Sequence, residues 1–538
     1  MNPSSFCTIC TNKCKNELVI FLLTLSLHHK GSRVYIMSDK ETSIEISNMT
    51  PRIKLNMKWY INLNKYSSKS RSEMEKEGIW SEFQMMKAKV IEKALEEEED
   101  TLFLDSDMVI LDEINDINKD KSLGVSPQFI QEKNVKEVGY YNGGMLWTNK
   151  KHLPEDWIEF TKTSRYFDQA SIEDLVKKYD YFEFGENYNL QSWRFILGLE
   201  HSHIIMNNIN VKNGRLYYKD KRLKTIHTHF NARNELFKSI NYLLLNKLKS
   251  CKSYKELCCI NRGITGCWEI HIPKQPKLGL WSHKNDSFRE LGVMWNLKHE
   301  DVRVIMDERM GNCMLFPEIF LYDRPTLEWV NQRLTSSNLL MLGNGDVMKE
   351  GKYMETEYGV KVKPWIFWPR RPMIIESYLK REKPKTYEER KNKITFIGNI
   401  ENLVQNKYRK SKIWETFVDN YHCTEGLIHK FTQEEYLEEL HKSKYGLCLR
   451  GYGRKCHREV ELMSLGTVPI ITEEVTVTSY INPLIENIHY VKLTNVEEWK
   501  EPLKEEWERM SKECINWYKE NVHSDNSWNL TITNILYT

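Results

Sequence analysis

Apolar positions in the first hundred residues come in short alternating blocks. Phe6–Thr11 reads as a strand and Glu17–His29 as an apolar-rich helix. Arg33–Ser38 reads as a second strand. Over Phe83–Glu96 the residues Met86, Val90, Ile91 and Leu95 fall on one side of an amphipathic helix. Thr101–Leu104 is a short apolar strand, stopped by Asp105-Ser106-Asp107. Strand, helix and strand in repetition predict an α/β fold with a parallel sheet and crossover helices.

A second segment begins near Cys251, Cys258, Cys259 and Cys267. Its strand candidates are Lys277–Trp281, Val302–Met306, Leu339–Leu342 and Trp365–Trp368. The hydrophilic stretch Arg381–Lys393 reads either as a solvated helix face or as a linker between lobes. Alternation then resumes, with strands at Ile394–Ile397, Tyr445–Leu449 and Thr467–Ile471 and a turn at Gly398. The pattern predicts an N-terminal α/β domain over 1–250. Two smaller α/β lobes are expected to follow, over 260–380 and 390–538. No internal repeat or low-complexity tract interrupts them.

A length of 538 residues agrees with two to four domains. The formal charge is only +3, and basic residues are spread along the chain, so no nucleic-acid footprint stands out. The longest apolar run, Leu18–Leu27, falls short of the roughly 18 residues of a spanning helix. Neither the charged start nor the small-residue cleavage site of a signal peptide flanks it. The expectation is a cytoplasmic protein without a membrane span, its 12 cysteines mostly reduced. Cys7, Cys10 and Cys14 could bind zinc through three thiols; the alternative is a core strand, Phe6–Thr11, with small apolar cysteines. The four cysteines of 251–267 offer enough thiols for structural zinc, at a spacing that fits no regular ribbon.

Thr101-Leu102-Phe103-Leu104-Asp105-Ser106-Asp107 carries the central chemistry. The apolar residues place two carboxylates just past the carboxyl end of a buried strand, where open α/β sheets bind ligands. Carboxylates at i and i+2 are hard oxygen ligands suited to Mg²⁺ or Mn²⁺, which would bridge them to a diphosphate.

The segment over residues 5–235 resembles glycosyltransferases of the GT-A fold, specifically family 8, which includes glycogenin and bacterial galactosyltransferases. Five pieces match in order. They are Asp105–Asp107, Tyr140-Tyr141-Asn142-Gly143-Gly144-Met145-Leu146, Phe167-Asp168-Gln169, Tyr188-Asn189-Leu190-Gln191 and Ile226-His227-Thr228-His229-Phe230. The resemblance implies a Rossmann-like domain that transfers a hexose from a UDP-sugar with retention, using Mn²⁺ or Mg²⁺. It implies Asp105, Asp107 and a histidine as metal ligands. His229 is favoured because Phe230 follows it, with His227 as the alternate. Asp168, Gln169 and Asn142 are the expected catalytic groups. Thr8, Gly143, Gly144 and Lys87 are expected to touch the donor, the glycines by letting backbone approach the sugar. Lys89 is a further phosphate candidate. The family's Lys-Pro-Trp after the His-Phe strand is absent, and Asn231-Ala232-Arg233-Asn234 stands there instead.

The C-terminal region, clearest over 390–490, resembles the nucleotide-sugar-binding lobe of exostosin-like glycosyltransferases, a two-lobed GT-B fold. The strand ending at Leu449, the loop Arg450–Gly453, Arg458, Glu461, Gly466 and Pro469 carry the likeness, with Ile394–Gly398 and Arg409 upstream. It implies phosphate contacts from Arg450, Arg454 and Arg458, assisted by a helix N-terminus. Glu461 would hold the ribose, and Gly398 and Arg409 would complete the donor site. This half would need no metal.

Together these features predict a bifunctional glycosyltransferase that adds two sugars to a glycan or glycoprotein acceptor. The alternative is one active module beside a non-catalytic glycan- or protein-binding half. A metal-dependent nucleotidyl or phosphodiester transferase is the third reading, and it leaves the ordered Asn-Gly-Gly, Asp-Gln and His motifs unexplained.

Overall fold

The computed structural model describes residues 1–49, 52–212, 215–232, 234–250, 254–272, 282–306, 369–398, 416–423, 431–450, 457–478 and 480–537. It also describes strands at 314–316, 339–343, 348–349, 352–353 and 362–364. The expected strands Lys277–Trp281 and Trp365–Trp368, and residues Cys251, Arg409 and Arg454, lie outside these. The chain divides into two compact units near Trp268.

The first unit is built on a seven-stranded sheet. Its strands are β1 (Ser5–Cys10), β2 (Arg33–Ser38), β3 (Asn56–Ile61), β4 (Thr101–Leu104), β6 (Leu123–Pro127), β7 (Tyr141–Thr148) and β8 (Tyr181–Glu183), in the order β3-β2-β1-β4-β7-β6-β8. Strands β1 to β4 are parallel, as the alternating pattern predicts. Strand β7 runs antiparallel to both β4 and β6, so the sheet is mixed rather than all-parallel. The chain leaves β1 toward β2 on one side, and β4 returns on the other. A topological switch point therefore lies between β1 and β4, and ligands collect outside the carboxyl ends of such strands.

A second, three-stranded sheet stands at that mouth. It joins β5 (Met108–Ile110), β9 (Leu190–Gln191) and β13 (Thr225–His227) in the order β5-β13-β9. Strand β5 follows the Asp105–Asp107 turn directly. Its antiparallel register sets Met108 opposite His227. Just before β13 a small antiparallel meander runs through β10 (Ile209–Lys212), β11 (Arg215–Tyr218) and β12 (Lys221–Arg222).

The first helix, α1 (Lys15–His28), is buried on all sides from Leu18 to Leu25. It packs on β5 and on the helix Tyr254–Thr265. A Cβ on Gly263 would stand 2.1 Å from Ile20 Cγ1, so only glycine permits this helix contact. Tyr254–Thr265 thus belongs with the first unit, although it lies past the expected boundary at residue 250. Cys7 and Cys10 sit buried in β1. Cys258, Cys259 and Cys267 are also buried. Among the described residues no three cysteines approach one another as metal ligands would.

The second unit contains a parallel five-stranded sheet, in spatial order Asn420–Cys423, Asn392–Gly398, Ser443–Cys448, Val468–Thr472 and Val491–Leu493. A further five-stranded sheet orders Val302–Met306, Trp268–Ile272, Met314–Phe316, Leu339–Gly343 and Val362–Pro364. The hydrophilic stretch after the helix Pro372–Arg381 is not helical. One of its charges is an anchor. Arg390 is buried, donates to the carbonyl oxygens of Ser443 (2.7 Å) and Leu465 (2.8 Å), and stacks 5.0 Å over the Trp507 ring. The closing helix Ser524–Tyr537 packs on Ser282–Lys298. There Trp295 Nε1 donates to Ser527 Oγ and Trp528 Nε1 to Asp301 Oδ1.

Candidate metal centre and cleft

Three strand ends build the site. Strand β4 stops where Asp105 N donates to Gly144 O at 2.9 Å, and the turn closes with Met108 N donating to Asp105 O at 3.2 Å. The turn directs both carboxylates into the mouth, and β13 delivers His227 beside them. His227 Nε2 lies 3.0 Å from Asp107 Oδ1 and 3.9 Å from Asp105 Oδ2. One ligating atom from each of the three groups lies within 4.8 Å of the others. Among the described residues this is the one group of three or more such side chains.

The imidazole has a fixed orientation. His227 Nδ1 lies 2.8 Å from Asn189 Oδ1. The Asn189 amide nitrogen donates to Ser126 Oγ and to Asn142 Oδ1, both at 3.0 Å, so its oxygen is the atom left to face the ring. An amide oxygen only accepts, so Nδ1 carries a proton; Nε2 is the nitrogen that faces the carboxylates and, once deprotonated, would offer its lone pair to a cation. That is the arrangement in which an outer residue orients a metal-ligating histidine. Asn189 holds a positive φ of 48°, a conformation asparagine tolerates better than most residues.

His229 also reaches the pair, with Nδ1 3.0 Å from Asp107 Oδ2. It is 46% exposed where His227 is 14% exposed. The expectation that favoured His229 as the inner ligand therefore meets a different geometry: His227 closes the three-atom group, and His229 stands at its rim. The reason is register. Residue 227 is the last residue of β13, whereas 229 lies past its end.

Lys87, buried on the helix Trp80–Leu95, approaches from the other side. Its ammonium lies 3.2 Å from Asp105 Oδ1, 3.1 Å from Asp168 Oδ2 and 3.1 Å from Gly143 O. Lys89, two residues on, points to solvent and pairs with Glu92 at 2.9 Å. Two carboxylates, Asp105 and Asp168, surround this ammonium and a third, Asp107, stands beside Asp105, an excess of acidic groups that a divalent cation would balance. The titrations follow from these contacts. Burial raises the Asp105 carboxyl above its ordinary value, against the pull of Lys87. Burial also works to raise Asp107, but His227 and His229 outweigh it and hold that group well below the carboxylate range. Burial lowers His227, and the adjacent Asp107 reverses the sign, so its pKa stands above the usual imidazole value.

The two glycines stand against the acidic groups. A Cβ on Gly143 would lie 2.4 Å from Asp168 Oδ2. One on Gly144 would lie 2.6 Å from both Asp105 Oδ2 and His227 Cε1. The missing side chains make room for the acidic groups, and both glycines also line the cleft. Asn142 is a hub. Its nitrogen donates to Gln191 Oε1 (3.0 Å) and Gln169 Oε1 (3.3 Å), and its oxygen accepts from Gly144 N (3.0 Å) and Asn189. Gln169 also donates to Val138 O at 2.9 Å. Asp168 and Gln169 sit on the short helix Phe167–Ala170, held by a bond of 2.9 Å from Trp157 Nε1 to Asp168 O.

These groups line one cleft of about 540 Å³. Thr11, Lys13, Arg71 and Trp80 border it on the β1 side, and Gln128, Ile130, Trp193 and Leu197 on the other. Thr8, expected to touch a donor, is fully buried in the middle of β1 and does not line the cleft. The strand-end residue Thr11 does. Three features were not singled out from sequence: Asn189 as the orienter of His227, Thr11 at the β1 end, and Trp193. Only Asn189 had a signal, as part of the Tyr188–Gln191 motif.

In the second unit Gly398 and Arg458 meet. The Arg458 guanidinium donates to Ile397 O, lies 4.5 Å over the Phe396 ring, and would stand 2.6 Å from a Cβ on Gly398. Arg450 follows the end of the strand Ser443–Cys448. Glu461 is fully buried and turned elsewhere, accepting from Arg370 N at 2.9 Å and Tyr436 Oη at 2.8 Å. The ribose role expected for it meets a carboxylate whose two oxygens are both engaged within the protein.

No protein-family model and no curated protein matches the chain. Solved structures do show a likeness. The galactosyltransferase LgtC, in complex with donor and acceptor sugar analogs, is 12% identical with a TM-score of 0.31, covering 45% of this chain and 95% of that one. The glycosyltransferase GlyE of Streptococcus pneumoniae TIGR4 is 10% identical with a TM-score of 0.32, covering 96% of this chain and 100% of that one. The bifunctional glycosyltransferase WbbM, in its apo form, is 10% identical with a TM-score of 0.32, covering 48% and 52%. At these scores the likeness says nothing of what this chain does. Among the described residues no helix is long and apolar enough to cross a membrane.

Proposed function

We propose that the first unit is a metal-dependent glycosyltransferase that takes a sugar from a nucleotide diphosphate carrier, UDP by resemblance, and passes it to a glycan or glycoprotein acceptor. One observation carries the reading: Asp105, Asp107 and an oriented His227 converge at the carboxyl end of β4, beside the switch point. Two hard carboxylates and an imidazole with Nε2 directed inward suit Mn²⁺ or Mg²⁺. When bound, the cation neutralises charge on the leaving diphosphate. The protein's own groups do the rest. Asp105, Asp107 and His227 hold the cation. Lys87 bridges the carboxylates of Asp105 and Asp168. Asp168 and Gln169 face the cleft where sugar hydroxyls need partners, and Asn142 with Asn189 fixes their surroundings. The family likeness implies retention of configuration, and no side chain is assigned here as a nucleophile.

The test is hydrolysis of a panel of nucleotide sugars by the full chain, with and without Mn²⁺. Turnover of at least one donor that chelator removes and D107A lacks is expected. Turnover indifferent to both would discard the reading, and pyrophosphate release from a nucleoside triphosphate would point to a nucleotidyl transferase.

For the second unit we propose an exostosin-like donor lobe, with Arg458 and Arg450 toward the diphosphate, so that the chain carries two transfer activities. The engaged carboxylate of Glu461 favours the other reading, a second half that binds glycan or protein without transferring sugar. A D107A chain that has lost the metal-dependent donor but still consumes another nucleotide sugar without metal supports two activities; a silent one supports the single-activity reading.

A further inference from the structure

The cleft has two ends, and topology separates them. Across the sheet the order runs β1, β4, β7, β6. The β1 end carries Thr11, Lys13 and Arg71, cationic and polar groups beside the switch point where a nucleotide diphosphate belongs. The β6 end carries Gln128, Ile130, Trp193 and Leu197, with no lysine or arginine among the lining residues. The cation ligands lie between the two.

Trp193 is the unusual member of the second group. Its indole is 47% exposed, whereas Trp147, Trp157, Trp295, Trp507 and Trp528 are all fully buried. Single exposed apolar residues need no explanation on an ordinary surface. Trp193 does not lie on one. It faces the cleft, and Ser192 N just before it donates to His227 O at 3.0 Å, tying it to the strand that supplies the metal-site imidazole.

The ring is exposed but not loose. Phe237 meets it edge-on at 5.8 Å and 86°, and meets His229 in the same way at 5.9 Å and 86°. The backbone on its other side is clamped. Gln131 N donates to Leu197 O at 2.9 Å, and Leu199 N to Phe129 O at 3.2 Å. Buried Arg194 stacks 4.6 Å over Phe129. A flat apolar face braced by a second ring at the wall of a polar cleft is what the C–H face of a sugar ring packs against.

Resting on the function proposed above, we propose that Trp193 is the platform on which the acceptor stacks, and that the acceptor presents a pyranose ring to it. The nucleotide end of the cleft is thereby left to the donor. Trp193 acts as a positioning residue: it touches the accepting sugar and takes no part in bond making.

The experiment uses saturation-transfer difference NMR on the full chain with Mg²⁺ and UDP, offering methyl glycosides of glucose, galactose and N-acetylglucosamine. Magnetisation is expected to pass to UDP and to at least one pyranoside, strongest at the ring protons of one face. In W193A the pyranoside signal should fall at least fivefold while the UDP signal persists, and W193F should restore part of it. The persisting UDP signal also shows that the variant is folded. UDP transfer with no pyranoside transfer, or a pyranoside signal unchanged in W193A, would overturn the platform while leaving the donor site standing. Loss of UDP binding in the unaltered chain would overturn the donor site itself.

Discussion

The amide oxygen of Asn189 sits 2.8 Å from Nδ1 of His227, and this contact decides which imidazole nitrogen can hold a cation. Replacing Asn189 by Ala frees the ring to rotate and to exchange tautomers. The expected result is a 10–100-fold rise in the Mn²⁺ concentration that half-activates sugar transfer. N189D keeps an accepting oxygen at Nδ1 and should recover most of the loss. Equal metal affinity in N189A and the parent, measured by activity titration, would remove the orienting role.

The two histidines should behave unequally. H227A is expected to raise the metal requirement by at least tenfold, because it deletes the inner imidazole. H229A removes a half-exposed partner of Asp107 and should cost less than about threefold. The reverse order would return the ligand assignment to His229.

Gly144→Ala tests close packing. The added carbon would meet Asp105 Oδ2 and His227 Cε1, each at 2.6 Å. The carboxylate and the ring must then move by several tenths of an ångström, and displacements approaching 1 Å cost about 10²-fold in rate. A loss of that order in kcat/KM is expected, with the circular dichroism spectrum unchanged. Retention of activity within a factor of three would mean the acidic cluster is adjustable.

Acid stability follows from two buried histidines. His29 accepts from Ile114 N at 2.9 Å and, desolvated, has its pKa lowered to about 4. His441, buried against Tyr378, is lowered to about 3. In the unfolded chain both protonate near pH 6.5. Below that pH the unfolded state binds protons that the folded state refuses. Stability is therefore full above about pH 6.5 and declines as the pH drops toward 4, by up to about 3 kcal/mol for His29 alone. Melting temperatures at pH 7.5 and 4.5 should differ accordingly, and H29Q should narrow the gap.

In the second unit, E461A leaves the half-buried Arg370 N–H and Tyr436 hydroxyl without their acceptor. Each unsatisfied group costs about 1–3 kcal/mol. The unit should melt several degrees lower, while metal-dependent hydrolysis by the first unit is unchanged at 25 °C. An E461A chain of unaltered melting temperature but weakened nucleotide binding would restore the ribose role.

Much of this was readable from residue order, and the failures have physical causes. The strands at Arg33–Ser38 and Thr101–Leu104 appear where apolar runs predict them, because these segments are buried on both faces. The direction of β7 was not readable, since an antiparallel strand buried on both faces shows the same apolar run as a parallel one. The choice between His227 and His229 was open because both lie on one face of an extended strand. The structure pairs His227 with Met108, more than a hundred residues earlier, and leaves His229 past the strand's end. Thr8 and Thr11 differ only in distance from the strand's end, which sequence patterns fix to within a few residues. The buried role of Arg390 was hidden inside a run of charges that reads as solvated.

The β5–β13 pairing has a last consequence, for the order of events during synthesis. The acidic half of the cation cage is complete by residue 107, but its imidazole arrives 120 residues later, after the whole intervening meander has been made. A nascent chain stopped before β13 already contains both carboxylates and Lys87 but neither His227 nor His229. On the function proposed above, a cation taken by all three groups would tie the chain's early and late segments together and, by mass action, favour the finished first unit.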